Sequence, residues 1–169
     1  KVLAGIQHRV LYKPYPYTEN LFLDPDPCLI AAKCADNIEV YKGQKDLSLL
    51  LPDARLIITA RATSTLGWCI ATRRPVVLIN MPNSTPLLPE LSNTFAEGIF
   101  LFDTSKPDFH RHLRQFLDRP LEEIEQEHAS TKIEGREYLL KKYYPSEQDR
   151  AGRRAADVLE AHTMRADTR

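Results

Sequence analysis

The sequence predicts an α/β fold, and three observations carry that prediction. Short runs rich in β-branched and bulky apolar residues recur along the chain. Helical stretches stand between them, so that strand and helix alternate. Pro, Asp and Ser/Thr signals mark most of the changeovers. With 169 residues, 43% of them hydrophobic, the chain supports one compact core and not two comfortable ones.

The elements follow in order. His8 to Tyr12 (HRVLY) is a β-rich run, which Lys13-Pro14-Tyr15-Pro16 closes by stopping the strand and holding the next residues extended. Residues 18–27 read as loop, with Asp26 as a cap and Pro27 as the first position of a helix over Cys28 to Ala35. Ile38 to Tyr41 (IEVY) is a second strand, and Asp46 opens a short helix over Leu47 to Leu51. Arg55 to Thr59 (RLIIT) is a third strand of the buried parallel type. A turn follows, capped by Thr63 or Ser64, leading to a helix that ends near Arg73. Val76 to Asn80 (VVLIN) is a fourth strand, then a proline-rich loop leads to a helix over Pro89 to Ala96. Ile99 to Phe102 (IFLF) is a fifth strand. Pro107 to Leu117 forms an amphipathic helix with Phe109, Leu113, Phe116 and Leu117 on one side. Pro120 to Tyr144 reads as mostly helical despite Gly135, and Gln148 to Met164 as a last helix. This order predicts a Rossmann-like, three-layer α/β/α arrangement: a mostly parallel sheet of about five strands, right-handed crossovers and C-terminal helices. Residues 1–165 are expected to form that single domain and residues 166–169 a disordered tail.

Composition narrows the partners. Lys plus Arg number 23 and Asp plus Glu number 23, so the formal net charge is zero and no nucleic-acid partner is implied. Cys28, Cys34 and Cys69 are odd in number and form no CxxC pair, which points to a reducing, cytoplasmic setting without disulfide framework or zinc. Cys69 lies in an apolar stretch and reads as a small core residue. No run has the length of a membrane-spanning helix and no signal peptide opens the sequence. The first residue is Lys1 and not Met, which suggests that the natural chain begins earlier.

Open parallel sheets bind ligands beyond the carboxyl ends of their strands, at the helix N-termini. That rule selects the turn from Ala60 to Thr65 above the others. A helix N-terminus offers free N–H groups and partial positive charge to a phosphate. Thr63, Ser64 and Thr65 add three hydroxyl donors, and Arg61 adds a planar cationic fork. The plain alternative is an ordinary Ser/Thr cap beside a surface arginine. Further pocket candidates are Lys13 and Tyr15 after the first strand, and Asn80 and Asn83 around the proline-rich loop, where amides also organise turns. Gly67 is expected to allow close helix–sheet packing, and Trp68 to be a core or interface residue. GxxxxGK[ST], GxGxxG and GxSxG are all absent. His110 and His112 lie two apart on a helix and point to different faces, so no metal is expected, and no residue stands out as a catalytic base.

The pieces Lys13-Pro14-Tyr15-Pro16, Leu56 to Thr59, Thr63-Ser64-Thr65-Leu66-Gly67 and Arg74-Pro75-Val76-Val77 occur in this order. Together they resemble the C-terminal, donor-nucleotide-binding half of a GT-B glycosyltransferase, nearest the capsule, teichoic-acid and surface-polysaccharide type that includes the CDP-glycerol glycerophosphotransferases. In those proteins a KPHP-like motif ends one strand, and a Ser/Thr-rich turn runs into a helix before a GKPV-like lead-in. The resemblance spans Arg9 to about Phe102, more than half of the chain. It implies a nucleotide-sugar or CDP-glycerol-like donor, held as substrate by Thr63, Ser64 and Thr65, with no separate cofactor. It implies a partner N-terminal domain of the same protein, a strand and helix ahead of the Lys13 strand, and a fragment that is inactive alone. It also implies work at the inner face of the membrane through the full-length protein. Tyr15 stands where that family often has a histidine, and Trp68 and Cys69 where it often has a glutamate. These departures keep open a non-catalytic nucleotide- or phosphosugar-binding or assembly domain of the same fold. A nucleotide-sugar epimerase-like domain is a weaker alternative.

Overall fold

Aliphatic and β-branched triplets to pentads build the strands: β1 (Val10–Tyr12), β2 (Ile38–Val40), β3 (Ile57–Thr59), β4 (Val76–Asn80) and β5 (Phe100–Asp103). The structure, a computed structural model, describes residues 2–14, 30, 32–33, 35–60, 62–84, 86–144, 152–153 and 155–157. The fold is mixed α/β and every strand pairing among these residues is parallel. The strands divide into two sheets where the sequence led us to expect one: β1 pairs with β2, while β3, β4 and β5 pair in that order. Val10 lies opposite Ile38, Ile57 opposite Val76, and Val77 opposite Phe100. The division falls between β1 and β3, which share no ladder.

Six helices of the described residues cover the strands: α1 (Leu47–Leu50), α2 (Ser64–Ala71), α3 (Pro89–Gly98), α4 (Phe109–Leu117), α5 (Leu121–Thr131) and α6 (Ile133–Tyr143). Asp46 caps α1, its Oδ1 accepting from the Ser48 N–H at 2.8 Å and from the Ser48 hydroxyl at 2.7 Å. Residues 30, 32–33, 152–153 and 155–157 are helical, as the helices expected over Cys28 to Ala35 and Gln148 to Met164 require, although Ala35 itself is not. The rest of both spans, and residues 166–169, lie outside the described residues.

Side chains alternate across the three-stranded sheet with the period of two that strands impose. Val76 and Leu78 enter a cluster with Leu66, Cys69 and Ile70 of α2, Phe95 of α3 and Leu139 of α6. Val77 points the other way, into a cluster with Phe100, Leu113, Phe116, Leu117 and Ile124, against which Ile58 and Phe102 also pack. Helices therefore cover both faces of this sheet.

The long C-terminal helix expected over residues 120–144 is broken at Lys132 into α5 and α6. Ser130 and Thr131 turn their hydroxyls back on carbonyls of the preceding turn, Thr131 Oγ1 donating to Glu127 O at 2.8 Å, which competes with the backbone ladder. Lys132 leaves the helix axis and donates through Nζ to Ala96 O at 2.6 Å. Gly135 is not the break. It sits inside α6, where its bare Cα lets the end of α3 approach.

His128 is buried on α5 beside Arg136 and Lys132. Burial, then the charges of Arg136 and Lys132, hold its pKa below the ordinary 6.5. The unfolded chain therefore takes up a proton near pH 6.5 that the folded chain refuses. Stability is predicted to be constant in this respect above that pH and to fall as pH drops from about 6.5 through the lower folded value. Urea midpoints between pH 8 and pH 5 check this, and His128→Phe should flatten the slope.

Candidate functional site

The parallel strands β3, β4 and β5 end at Thr59, Asn80 and Asp103, so these residues mark one carboxyl edge. From Thr59 the chain crosses a four-residue link into α2, whose N-cap is Thr63 in an extended conformation. Arg61 lies outside the described residues. The Thr63 side chain makes no capping bond, and the Leu66 N–H turns back to the Thr63 carbonyl at 2.9 Å. Thr63 and Ser64 are exposed and Thr65 is half-buried. Among the described residues, none of these three hydroxyls has a hydrogen-bond partner. The first turn of α2 thus faces outward with N–H groups that no side chain of the described residues satisfies, at the positive end of the helix dipole. Its apolar residues Leu66, Cys69 and Ile70 fix the helix against the sheet from below.

Asn80 is 6% exposed, and its side chain is already engaged. Its Nδ2 donates to Asp103 Oδ2 at 2.8 Å, and its Oδ1 accepts the Leu87 N–H at 2.8 Å. It ties the end of β5 and the far end of the proline-rich loop to β4. Asp103 Oδ1 accepts the Ser105 N–H at 2.8 Å and the Ser105 hydroxyl at 2.6 Å. The Ser105 hydroxyl, opposed only by modest burial and helped by Asn80 and Lys106, holds the Asp103 carboxyl below the usual carboxylate range. Asp103 was not among the sequence candidates, yet it organises this rim. Its signal is the Asp-x-Ser spacing after an apolar strand, which repeats the Asp46-x-Ser48 turn.

The remaining candidates divide. Asn83 is exposed in the turn after β4. Lys13 follows β1 and carries its ammonium over the Tyr41 ring, 5.4 Å from the centroid, within electrostatic reach of Asp46. It therefore sits by the carboxyl end of the β1–β2 pair. Tyr15 lies outside the described residues. The structure thus gathers Thr63, Ser64, Thr65 and Asn80 at one edge of the three-stranded sheet, and Lys13 at the end of the other.

Three neighbours of the turn clarify its chemistry. Cys69 is buried, and burial pushes its thiol up to about 11, so it is a core filler and no nucleophile at neutral pH. Trp68 is 48% exposed on the outer side of α2, so it is not part of the core. Gly67 admits the ring of Tyr144 where close packing on the sheet was expected, since a Cβ there would lie 2.5 Å from Tyr144 Cδ1. Among the described residues, no group of three or more His, Cys, Asp or Glu gathers as for a metal, and no helix is long and apolar enough to cross a membrane.

Comparison with protein-family models, curated proteins and solved structures finds no match to this chain.

Proposed function

We propose that this chain is the donor-binding part of a glycosyl- or glycerophosphotransferase of surface-polysaccharide synthesis, with a Rossmann-like α/β/α core. The observation that carries the reading is the open N-terminus of α2, where three hydroxyls without a partner among the described residues stand at the carboxyl edge of a parallel sheet. In this reading the donor's phosphates lie over the first turn of α2. The N–H groups of that turn and the hydroxyls of Thr63, Ser64 and Thr65 donate to phosphate oxygens, and Arg61 pairs with them. As the bond to the transferred group breaks, negative charge grows on the leaving nucleoside phosphate, and these fixed donors stabilise it. The acceptor and the proton-accepting base come from a separate N-terminal domain, so this chain alone binds without turning over. The nucleotide-activated donor places the work in the cytoplasm, at the inner face of the membrane through the complete protein.

Calorimetric titration with UDP, CDP, GDP and CMP tests this. At least one of the four is expected to bind. The double variant Ser64→Ala, Thr65→Ala is expected to bind it at least about tenfold more weakly, since hydrogen bonds to charged groups are worth roughly 1.5–3 kcal/mol each. Equal affinity of variant and parent would remove these hydroxyls from the site.

One observation favours a second reading, a non-catalytic nucleotide- or phosphosugar-binding or assembly domain. The polar side chains at the ends of β4 and β5, Asn80 and Asp103, are spent on each other and on Ser105 and Leu87. A transfer assay with the complete protein separates the two: binding without transfer to any acceptor favours the second.

A further inference from the structure

Among the described residues, the most deeply buried cation is left short of partners. The Arg136 side chain is 3% exposed, yet its Nε and Nη1 meet no hydrogen-bond acceptor. Those two atoms carry three of the five N–H groups of a guanidinium. The remaining nitrogen, Nη2, donates to Glu137 Oε1 at 2.5 Å, and that carboxylate side chain is 55% exposed. Less buried arginines are better served. Arg114 holds the carbonyls of Val2, Ala4 and Gly5 together with the Asp118 carboxylate. Arg119 donates to Glu127 at 2.7 Å and lies 3.7 Å from Glu123. A buried donor without an acceptor is costly, most of all on a charged group.

Helix geometry brings two more basic side chains beside it. The Lys132 N–H donates to His128 O at 3.0 Å and the Arg136 N–H to Lys132 O at 2.9 Å, so the one-turn spacing holds through the break between α5 and α6. His128, Lys132 and Arg136 therefore follow one another along one face. Side chains lean toward the N-terminus of their helix, which tips Arg136, in the first turn of α6, back toward Lys132 and His128. The electrostatic influence of both Arg136 and Lys132 on the buried His128 ring agrees. Lys132 Nζ donates to Ala96 O at 2.6 Å and lies 5.4 Å from the Phe100 ring centroid. The positive end of the α6 dipole starts at the same place, and no side chain caps it.

Acidic side chains do not balance this cluster. The glutamates of α5 pair elsewhere, Glu122 and Glu125 with Arg55, and Glu123 and Glu127 with Arg119. Glu97 near the end of α3 and Glu134 on α6 are exposed, and β5 contributes the Phe100 ring. Glu137 is the one carboxylate paired with Arg136 among the described residues.

We propose that Arg136, Lys132 and His128 form a binding site for a small free oxyanion of the phosphate or sulfate type, at the junction of α3, α5 and α6. The anion accepts from Arg136 Nε and Nη1 and from the ammonium of Lys132, and His128 adds a donor when it is protonated. Burial of the guanidinium admits a free ion and shuts out a phosphate carried on a nucleoside. Entry is on the Glu137 side, where the guanidinium meets the surface, so the Glu137 carboxylate competes with the ion. The site shares no residue with the first turn of α2 and stands apart from the donor-binding reading.

Sodium sulfate, whose charge is constant between pH 8 and pH 5, is exchanged for sodium chloride at constant ionic strength while the His128 ring is followed by NMR. Saturating sulfate is expected to raise the proton affinity of His128 about tenfold, because an anion beside the ring favours the imidazolium. Linkage then makes sulfate bind several-fold more tightly at pH 5 than at pH 8. An unmoved His128, or equal sulfate affinity at both pH values, overturns the proposal. Arg136→Met keeps a long side chain without the charge and is expected to lose the sulfate response, whereas Ser64→Ala with Thr65→Ala keeps it. A folded Arg136→Met chain in which sulfate still shifts His128 overturns the proposal. Glu137→Gln removes the competing carboxylate and should bind sulfate several-fold more tightly, a gain that a merely structural Arg136–Glu137 pair does not produce; equal or weaker binding contradicts the site. CMP should leave His128 unmoved, and a response equal to that with sulfate overturns the assignment to a free ion.

Discussion

Gly135→Ala is expected to lower stability by about 3 kcal/mol, and the thermal midpoint by roughly 6–12 °C for a chain of this size. A Cβ on Gly135 would lie 2.5 Å from the Glu97 carbonyl oxygen and 2.7 Å from the Gly98 nitrogen. Both are backbone atoms at the end of α3, so no side-chain rotation relieves the overlap. The converse holds at Gly98, whose Cβ would lie 2.8 Å from the Arg136 nitrogen and 2.8 Å from the Gly135 carbonyl carbon. The two helices touch backbone to backbone here, and separating them disturbs the cluster that holds Phe95, Leu139 and α2 together. Alanine recovers roughly 1 kcal/mol of helix propensity, which the overlap outweighs. Gly152→Ala is the control, because nothing lies within 4 Å of a Cβ there. Thermal unfolding of the two variants should separate them clearly.

Asn80→Ala comes second, at about 3 kcal/mol. The change removes both Asn80 bonds and strands the N–H of Leu87, a residue only 7% exposed. A buried donor without an acceptor costs roughly 1–3 kcal/mol by itself. The proline-rich loop also loses its anchor on β4, so proteolysis should cut it faster in the variant. Asn83→Ala, in an exposed turn, is expected to stay within about 0.5 kcal/mol of the parent. Urea unfolding of both variants measures the difference.

The strands were legible because their signal is local. Val76 to Asn80 and Ile99 to Phe102 are apolar runs bounded by turn residues, and both contain strands, β4 being the best buried of the five. Parallel pairing followed from the alternation with helices. The two-sheet division was not legible, because which strand lies beside which depends on backbone meeting backbone far along the chain, and β1 and β3 have no sequence mark of an open side. The break at Lys132 carries a local mark, the Ser130–Thr131 pair whose hydroxyls return to carbonyls of the preceding turn, but the contact of Lys132 with Ala96, 36 residues away, was not legible. At the site, Thr63, Ser64 and Thr65 were readable as a helix start, since capping residues declare themselves locally. Asn80 reads from the sequence as an amide at a strand end, but its partners Leu87 and Asp103 come from other segments. The same is true of Gly67, whose neighbour Tyr144 is brought to it by the tertiary fold.

Backbone amide chemical shifts, followed while CDP, UDP, GDP and CMP are added in turn to the folded chain, address the phosphate site directly. The largest saturable shifts are expected at Ser64, Thr65 and Leu66, with smaller ones after Thr59 and Asn80. Saturable shifts centred elsewhere, or no shift at the α2 N-terminus with any of the four, would contradict it.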